Sequence, residues 1–193
     1  MARWSTSGPT TRNTSLIDPI LARTAPLFAD AVRGYLAGGT PAAFERAMQQ
    51  ALAQAHTAAY LRGVAERSAV GRVREWLGRL VGDRALSKDD RTALRAALRE
   101  QFKFLGGFVG QLGGMSEAQV AARAALYAAS AKATYWQAWA GVALEEYPGS
   151  CPECYTRCRC SLDRRADGVY WAGPGDAHSC GACRGRIGRR MDK

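Results

Sequence analysis

Apolar residues recur at spacings of three and four through most of residues 16–142, the rhythm of helices that each bury one face. Residues 16–36 carry it first and run into Gly38-Gly39. Pro26 within them predicts a break or restart, because proline lacks the amide hydrogen and crowds the preceding turn. Thr40-Pro41 then reads as an N-cap followed by proline at the first helical position. It opens a long helix through Phe44, Met48, Leu52, His56 and Tyr60, with His56 as a packing residue. A shorter amphipathic piece covers 73–81, with Trp76, Leu77 and Leu80.

Ser87 opens the next helix, with Asp89 and Asp90 in the turn where the helix dipole favours acids. Its stripe is Leu94, Leu98, Phe102, Leu105, Val109 and Leu112. Gly106, Gly110 and Gly114 repeat every four residues and either allow the close approach of another helix, the preferred expectation, or only loosen the helix end. Ser116-Glu117-Ala118-Gln119 is a capping box for a last helix running to about residue 142. It presents Val120, Ala124, Tyr127, Ala131, Tyr135, Ala138 and Val142 on one face. Trp136 and Trp139 crowd its end, as core or as a seam with the C-terminal segment.

The rhythm changes at Pro148-Gly149. Residues 159–164 and 168–172 suggest two short strands around the turn Ala166-Asp167-Gly168. Residues 181–191 suggest a short helix carrying arginines. The first 15 residues are polar and rich in structure breakers, as in a flexible arm. The fold class expected is therefore mainly α: an arm at 1–15, a body of long helices at 16–147, and a small C-terminal lobe with a β-hairpin at 148–193. Its large apolar residues are few (Tyr155, Leu162, Val169, Tyr170, Trp171 and Ile187). A segment that small needs a metal, disulfides or a partner to hold a shape.

All six cysteines lie in that lobe: Cys151, Cys154, Cys158, Cys160, Cys180 and Cys183. They read C-x2-C-x3-C-x-C, then 19 residues, then C-x2-C, with His178 two residues before the second pair. Zinc takes four thiolates or imidazoles in a tetrahedron, and each C-x2-C pair presents two sulfurs on one turn. Cys151/Cys154 and Cys180/Cys183 have that form. Cys158 and Cys160 offer a competing first half, although alternate strand residues face opposite ways. The alternatives are disulfides, an iron–sulfur cluster or a redox pair. A reducing compartment disfavours the first, no electron-transfer partner suggests the second, and the redox pair has no βαβ context. One structural zinc, stabilising a ribbon-like lobe, is the expectation. His178 is either a further ligand or a turn residue.

Charge adds a partner class. The chain has 27 Lys/Arg against 17 Asp/Glu, a net +10. Residues 151–193 hold nine basic and five acidic residues, the basic ones densest at Arg184, Arg186, Arg189, Arg190 and Lys193. Those four arginines are candidate contacts for nucleic acid or an acidic protein surface. The first 15 residues lack the apolar segment of a secretory signal, and no run of 18 uncharged apolar residues exists to span a membrane. Synthesis in a cytoplasm is the expectation. No hydrolase elbow, P-loop, dinucleotide fingerprint or H-E-x-x-H motif appears, so no enzyme and no small-molecule substrate are expected.

Two stretches carry a resemblance: "FVGQLGGMSEAQVAARAALYAASAKATYW" at 108–136 and "EEYPGSCPECYTRCRCSLDRRADGVYWAGPGDAHSCGACRGR" at 145–186. In that order they resemble minor head (head morphogenesis) proteins of tailed bacteriophages and related prophage structural proteins. The resemblance covers the C-terminal half, and Cys158-Arg159-Cys160 with the late cysteine pair is its most specific part. It implies a non-enzymatic virion component of few copies, made in the bacterial host cytoplasm. Its partners would be the portal and the major capsid protein, with packaged DNA as a further contact. It also implies that Cys154, Cys158 or Cys160, Cys180 and Cys183 hold the metal, with Cys151 as an extra cysteine and His178 as a secondary candidate. The contrasting expectation, from the basic C-terminal segment and the C-x2-C pairs alone, is a zinc-ribbon regulator that binds nucleic acid.

Overall fold

The structure, a computed structural model, describes residues 17–67, 86–142, 144, 146–151 and 159–192. The arm at 1–15, the amphipathic piece at 73–81, and Cys154 and Cys158 lie outside the described residues. The protein is mainly helical, with an antiparallel two-stranded hairpin near its C-terminus. The helices are α1 (Asp18–Leu36), α2 (Pro41–Arg67), α3 (Lys88–Val109) and α4 (Glu117–Ala140), with a 3-10 turn at Leu112–Gly114. The hairpin strands are β1 (Ser161–Arg165) and β2 (Gly168–Ala172), followed by the one-turn α5 (Gly181–Arg184). None of the described helices is long and apolar enough to cross a membrane.

Local chemistry sets the helix starts. Thr40 Oγ1 accepts from the Ala43 amide at 3.2 Å, and Ser87 Oγ accepts from the Asp90 amide at 3.1 Å. Ser116 and Gln119 form a reciprocal capping box, at 3.3 Å and 2.8 Å. Such caps satisfy amides that have no partner within the helix. Gly141 ends α4 in the left-handed region, with φ 68°.

Pro26 does not break α1, which is continuous through it. Pro26 and Ala22 are both exposed, so the carbonyl deprived of its donor faces water. The opposite side of α1 buries Phe28, Ala31 and Val32, which holds the helix together across the proline.

Helix α2 is central. It packs against α1, α3 and α4, and α1 also meets α4. An aromatic path runs through the body, from Tyr35 to Phe44, then Phe108, then Tyr127, with centroids 5.3–5.8 Å apart. The expected α4 face is buried from Val120 to Ala138, but Val142 lies beyond the helix and is 46% exposed.

The expected close approach at Gly106, Gly110 and Gly114 is not where helices meet. A Cβ at Gly106 or Gly114 would have nothing within 4 Å, and one at Gly110 would meet only carbonyls of its own helix. The tight crossing is at Gly63 of α2. A Cβ there would lie 2.4 Å from the Tyr135 carbonyl oxygen, 2.7 Å from Ala138 Cβ and 2.9 Å from the Trp139 amide nitrogen.

The lobe is built on the hairpin, with Leu162 opposite Trp171 and both buried. The helix expected over 181–191 is only Gly181–Arg184. Beyond it, Gly188 at φ 80° turns the chain back along β2. The Trp171 amide donates to the Arg189 carbonyl at 3.0 Å and the Met191 amide to the Val169 carbonyl at 2.8 Å. Strand pairing to β2 therefore wins over helix in that segment.

Candidate metal centre

Three side chains converge where the body ends and the lobe begins. The turn at Pro148-Gly149 is buried on α4, and a Cβ at Gly149 would sit 3.0 Å from Lys132 Cβ. That turn delivers Cys151. From the other side come Cys180, the N-cap of α5, and Cys183 within it. The three sulfurs all lie within 4.8 Å of one another, with Cys151 and Cys183 buried and Cys180 partly so. Cys151 Sγ and Cys180 Sγ are 3.6 Å apart, far beyond a disulfide bond of about 2.05 Å. Thiolates holding one tetrahedral ion at about 2.3 Å would be about 3.8 Å from each other. The observed contact matches that edge, so the cluster could bind a metal ion.

The surrounding loop is arranged to support it. The Cys183 amide donates to Cys180 Sγ at 3.3 Å, which suits a sulfur carrying negative charge. Asp176 organises the approach to Cys180. It accepts from the Arg159 guanidinium at 2.9 and 2.5 Å, from the His178 amide at 3.1 Å and from Ser179 Oγ at 3.3 Å. The Arg159 fork, foremost, pulls the Asp176 carboxyl down to about 2. Outer partners of this kind fix the orientation of ligand-bearing loops.

Of the candidates named from sequence, Cys180 and Cys183 are in the cluster. Cys151, the extra cysteine of the resemblance, joins them. Cys160 is buried beside Gly173 and is not one of the three. His178 is exposed and outside the cluster. The C-x2-C form of Cys151/Cys154 was the signal for Cys151.

The arginines divide. Arg186 donates to Glu146 at 2.7 Å and its guanidinium lies 5.6 Å from the Trp171 ring centroid. Arg190 pairs with Asp192 at 2.9 Å. Arg184 and Arg189 are exposed and have no ion pair among the described residues. Arg164, which sequence reasoning did not single out, donates to the carbonyls of Trp139 at 3.1 Å and Ala140 at 2.8 Å. It thereby caps the C-terminus of α4 from the lobe. Buried residues of body and lobe belong to one apolar cluster, from Phe28 and Trp136 through to Trp171 and Cys183. No protein-family model, curated protein or solved structure matches the chain.

Proposed function

We propose that the chain is a non-enzymatic structural component of a tailed-phage head, a minor head or capsid-associated protein. It would work near the portal or the inner capsid surface, after synthesis in the host cytoplasm, with one structural zinc in its lobe. The observation that carries this reading is the docking of the cysteine lobe onto α4 through a shared apolar cluster. The lobe is a cap on a long helix, which suits a protein whose work is to hold and present helical surface. The order of motifs along the C-terminal half supports the same class. Zinc is the metal of choice because the donors are cysteine sulfurs and the Cys151–Cys180 edge of 3.6 Å fits a tetrahedral ion. Three come from Cys151, Cys180 and Cys183, and the remaining cysteines offer the fourth.

The nucleic-acid regulator is disfavoured by charge pairing. Arg159, Arg165, Arg186 and Arg190 each face a carboxylate of the protein itself. Arg184 and Arg189 are left for an acidic portal or capsid surface or packaged DNA.

Particles induced from a host carrying the gene test the reading. The chain should co-purify with them in few copies and cross-link to the portal or major capsid protein. Particles without the chain, together with tight salt-sensitive binding to a defined duplex, would replace the head protein with the regulator. About one equivalent of zinc is expected in protein purified under argon.

A further inference from the structure

We propose that Cys180 is an oxidation-sensitive thiol with Cys151 as its resolving partner, so that a Cys151–Cys180 disulfide takes over from the metal as the cross-link of the lobe. The inference rests on the metal-site reading above for the ion that is displaced, and on the thiol geometry for the chemistry.

Three observations point to this pair. Cys180 is the partly exposed member of the cluster, while Cys151 and Cys183 are buried. Residues 174–178 before it are exposed, with the buried Ser179 between them and Cys180. Cys151 Sγ already touches it at 3.6 Å, and a disulfide needs an approach of about 1.5 Å more. The bond would span the same two chain segments that a shared metal joins. It links the turn docked on α4 to the start of α5, positions 29 residues apart in sequence.

The oxidant is a peroxide. The Cys180 thiolate attacks it, an S–O bond forms as the O–O bond breaks, and hydroxide leaves. The Cys151 thiolate then attacks the Cys180 sulfur, the S–S bond forms, the S–O bond breaks, and a second hydroxide leaves. Each hydroxide takes a proton from the buffer and becomes water. Two thiolates, one hydrogen peroxide and two protons thus become one disulfide and two waters, and the two electrons lost by sulfur reduce the peroxide. Two of the three clustered donors are spent, so an ion held there is released. A protein folded in a reducing cytoplasm and carried outside in a particle would exchange one cross-link for the other without losing the lobe.

The test uses the full chain loaded with zinc under argon and treated with graded hydrogen peroxide. Zinc release is followed with a chelating dye, and cysteine pairing by peptide mapping after alkylation without reduction. Zinc should leave in proportion to a Cys151–Cys180 linked peptide, and dithiothreitol with added zinc should reverse both. In Cys151→Ser, a cyclic diketone should trap sulfenic acid at Cys180 ahead of the other cysteines. Should that variant fail to fold, the wild-type map still decides. A dominant Cys180–Cys183 bridge, pairing through Cys154 or Cys158, or oxidation to sulfinic acid without a bridge would overturn the proposal. The linked peptide in a protein that never bound zinc would sink the metal reading alone. Zinc binding without that peptide would sink this inference alone.

Discussion

The helical body and the cysteine lobe reach stability by different routes. The body spreads it over many small contributions, in the close-packed helices and the aromatic path from Tyr35 to Tyr127. Apart from Trp136 Nε1, its main buried polar groups are answered among the described residues. His56 Nδ1 meets Thr134 Oγ1 at 2.7 Å and its Nε2 meets Ser130 Oγ at 3.0 Å. Asp90 accepts from Tyr60 at 3.1 Å, Arg67 at 3.0 Å and Ser87 at 2.7 Å. Among the described residues the lobe has Leu162, Val169 and Trp171 as its large buried side chains, and it depends on a few specific ties. At its seam, Trp136 Nε1, Trp171 Nε1 and Arg186 Nη1 are buried without a hydrogen-bond partner among the described residues. Single changes should therefore act in an all-or-none way in the lobe and by degrees in the body.

The sharpest break is loss of the cluster. A structural zinc held there would contribute on the order of 10 kcal/mol, as in small zinc domains, far more than hairpin and seam could replace. Chelation, or Cys183→Ser, should leave residues 148–193 open to limited proteolysis while the helical circular dichroism of the body persists. Loss of protection in both regions at one rate would show a single cooperative unit instead.

Next in size is Gly63→Val. The new side chain would drive into the backbone at Tyr135 and Trp139, and should cost about 3 kcal/mol or more. Gly106→Ala is its counterpart, because its Cβ enters open space within α3. Gain of about 0.5–1 kcal/mol is expected there from helix propensity. Urea unfolding measures both, and equal effects would refute the placement of the tight crossing.

These two glycines also show what sequence carries. Start signals are local, so Thr40, Ser87 and Ser116 identify three helices directly. Close approach is a property of two segments at once, and the regular spacing of Gly106, Gly110 and Gly114 is no guide to it. The isolated Gly63, amid Ala55, Ala59 and Tyr60, shows its role only when α4 is laid across it. The same holds in the lobe. The C-x2-C pairs announce Cys180 and Cys183, and Cys151 by form, but not that Arg164 reaches back to the end of α4. Beyond Arg184, helix pattern lost to pairing with β2, a partner distant in sequence.

A third test uses pH. Burial pushes His56 down from 6.5 to about 4. The unfolded chain thus takes up a proton first as pH falls, and stability is lost between about 6.5 and 4, at about 1.4 kcal/mol per unit. The loss by pH 4 is about 3 kcal/mol, and stability is full above 6.5. Asp90 acts in a lower window. Burial raises its pKa, but hydrogen bonds from Ser87 and Arg67 outweigh that and hold it below 3.8, so its contribution fades only as pH falls further. In His56→Asn the slope between 6.5 and 4 should flatten, whatever the variant's stability at neutral pH. An unchanged slope would remove His56 from the account.

The smallest effect is the most diagnostic of how the two regions are joined. Arg164 contributes two charge-assisted bonds to the last carbonyls of α4 and lies 5.2 Å from the Trp139 ring centroid. The helix dipole favours a cation there, but the residue is solvent-exposed, which weakens each contribution. Arg164→Met, which keeps the length and loses the charge, should cost about 1 kcal/mol. The consequence lies in where that cost appears. With metal bound, the cluster still tethers the lobe, so amide exchange should speed up only in the last turn of α4. With metal removed, the same substitution should accelerate release of the lobe, because Arg164 is then one of the few ties left. Equal effects in the two states would mean that the arginine caps the helix without joining the regions. A larger effect without metal would make it the second half of a joint whose first half is the cysteine cluster.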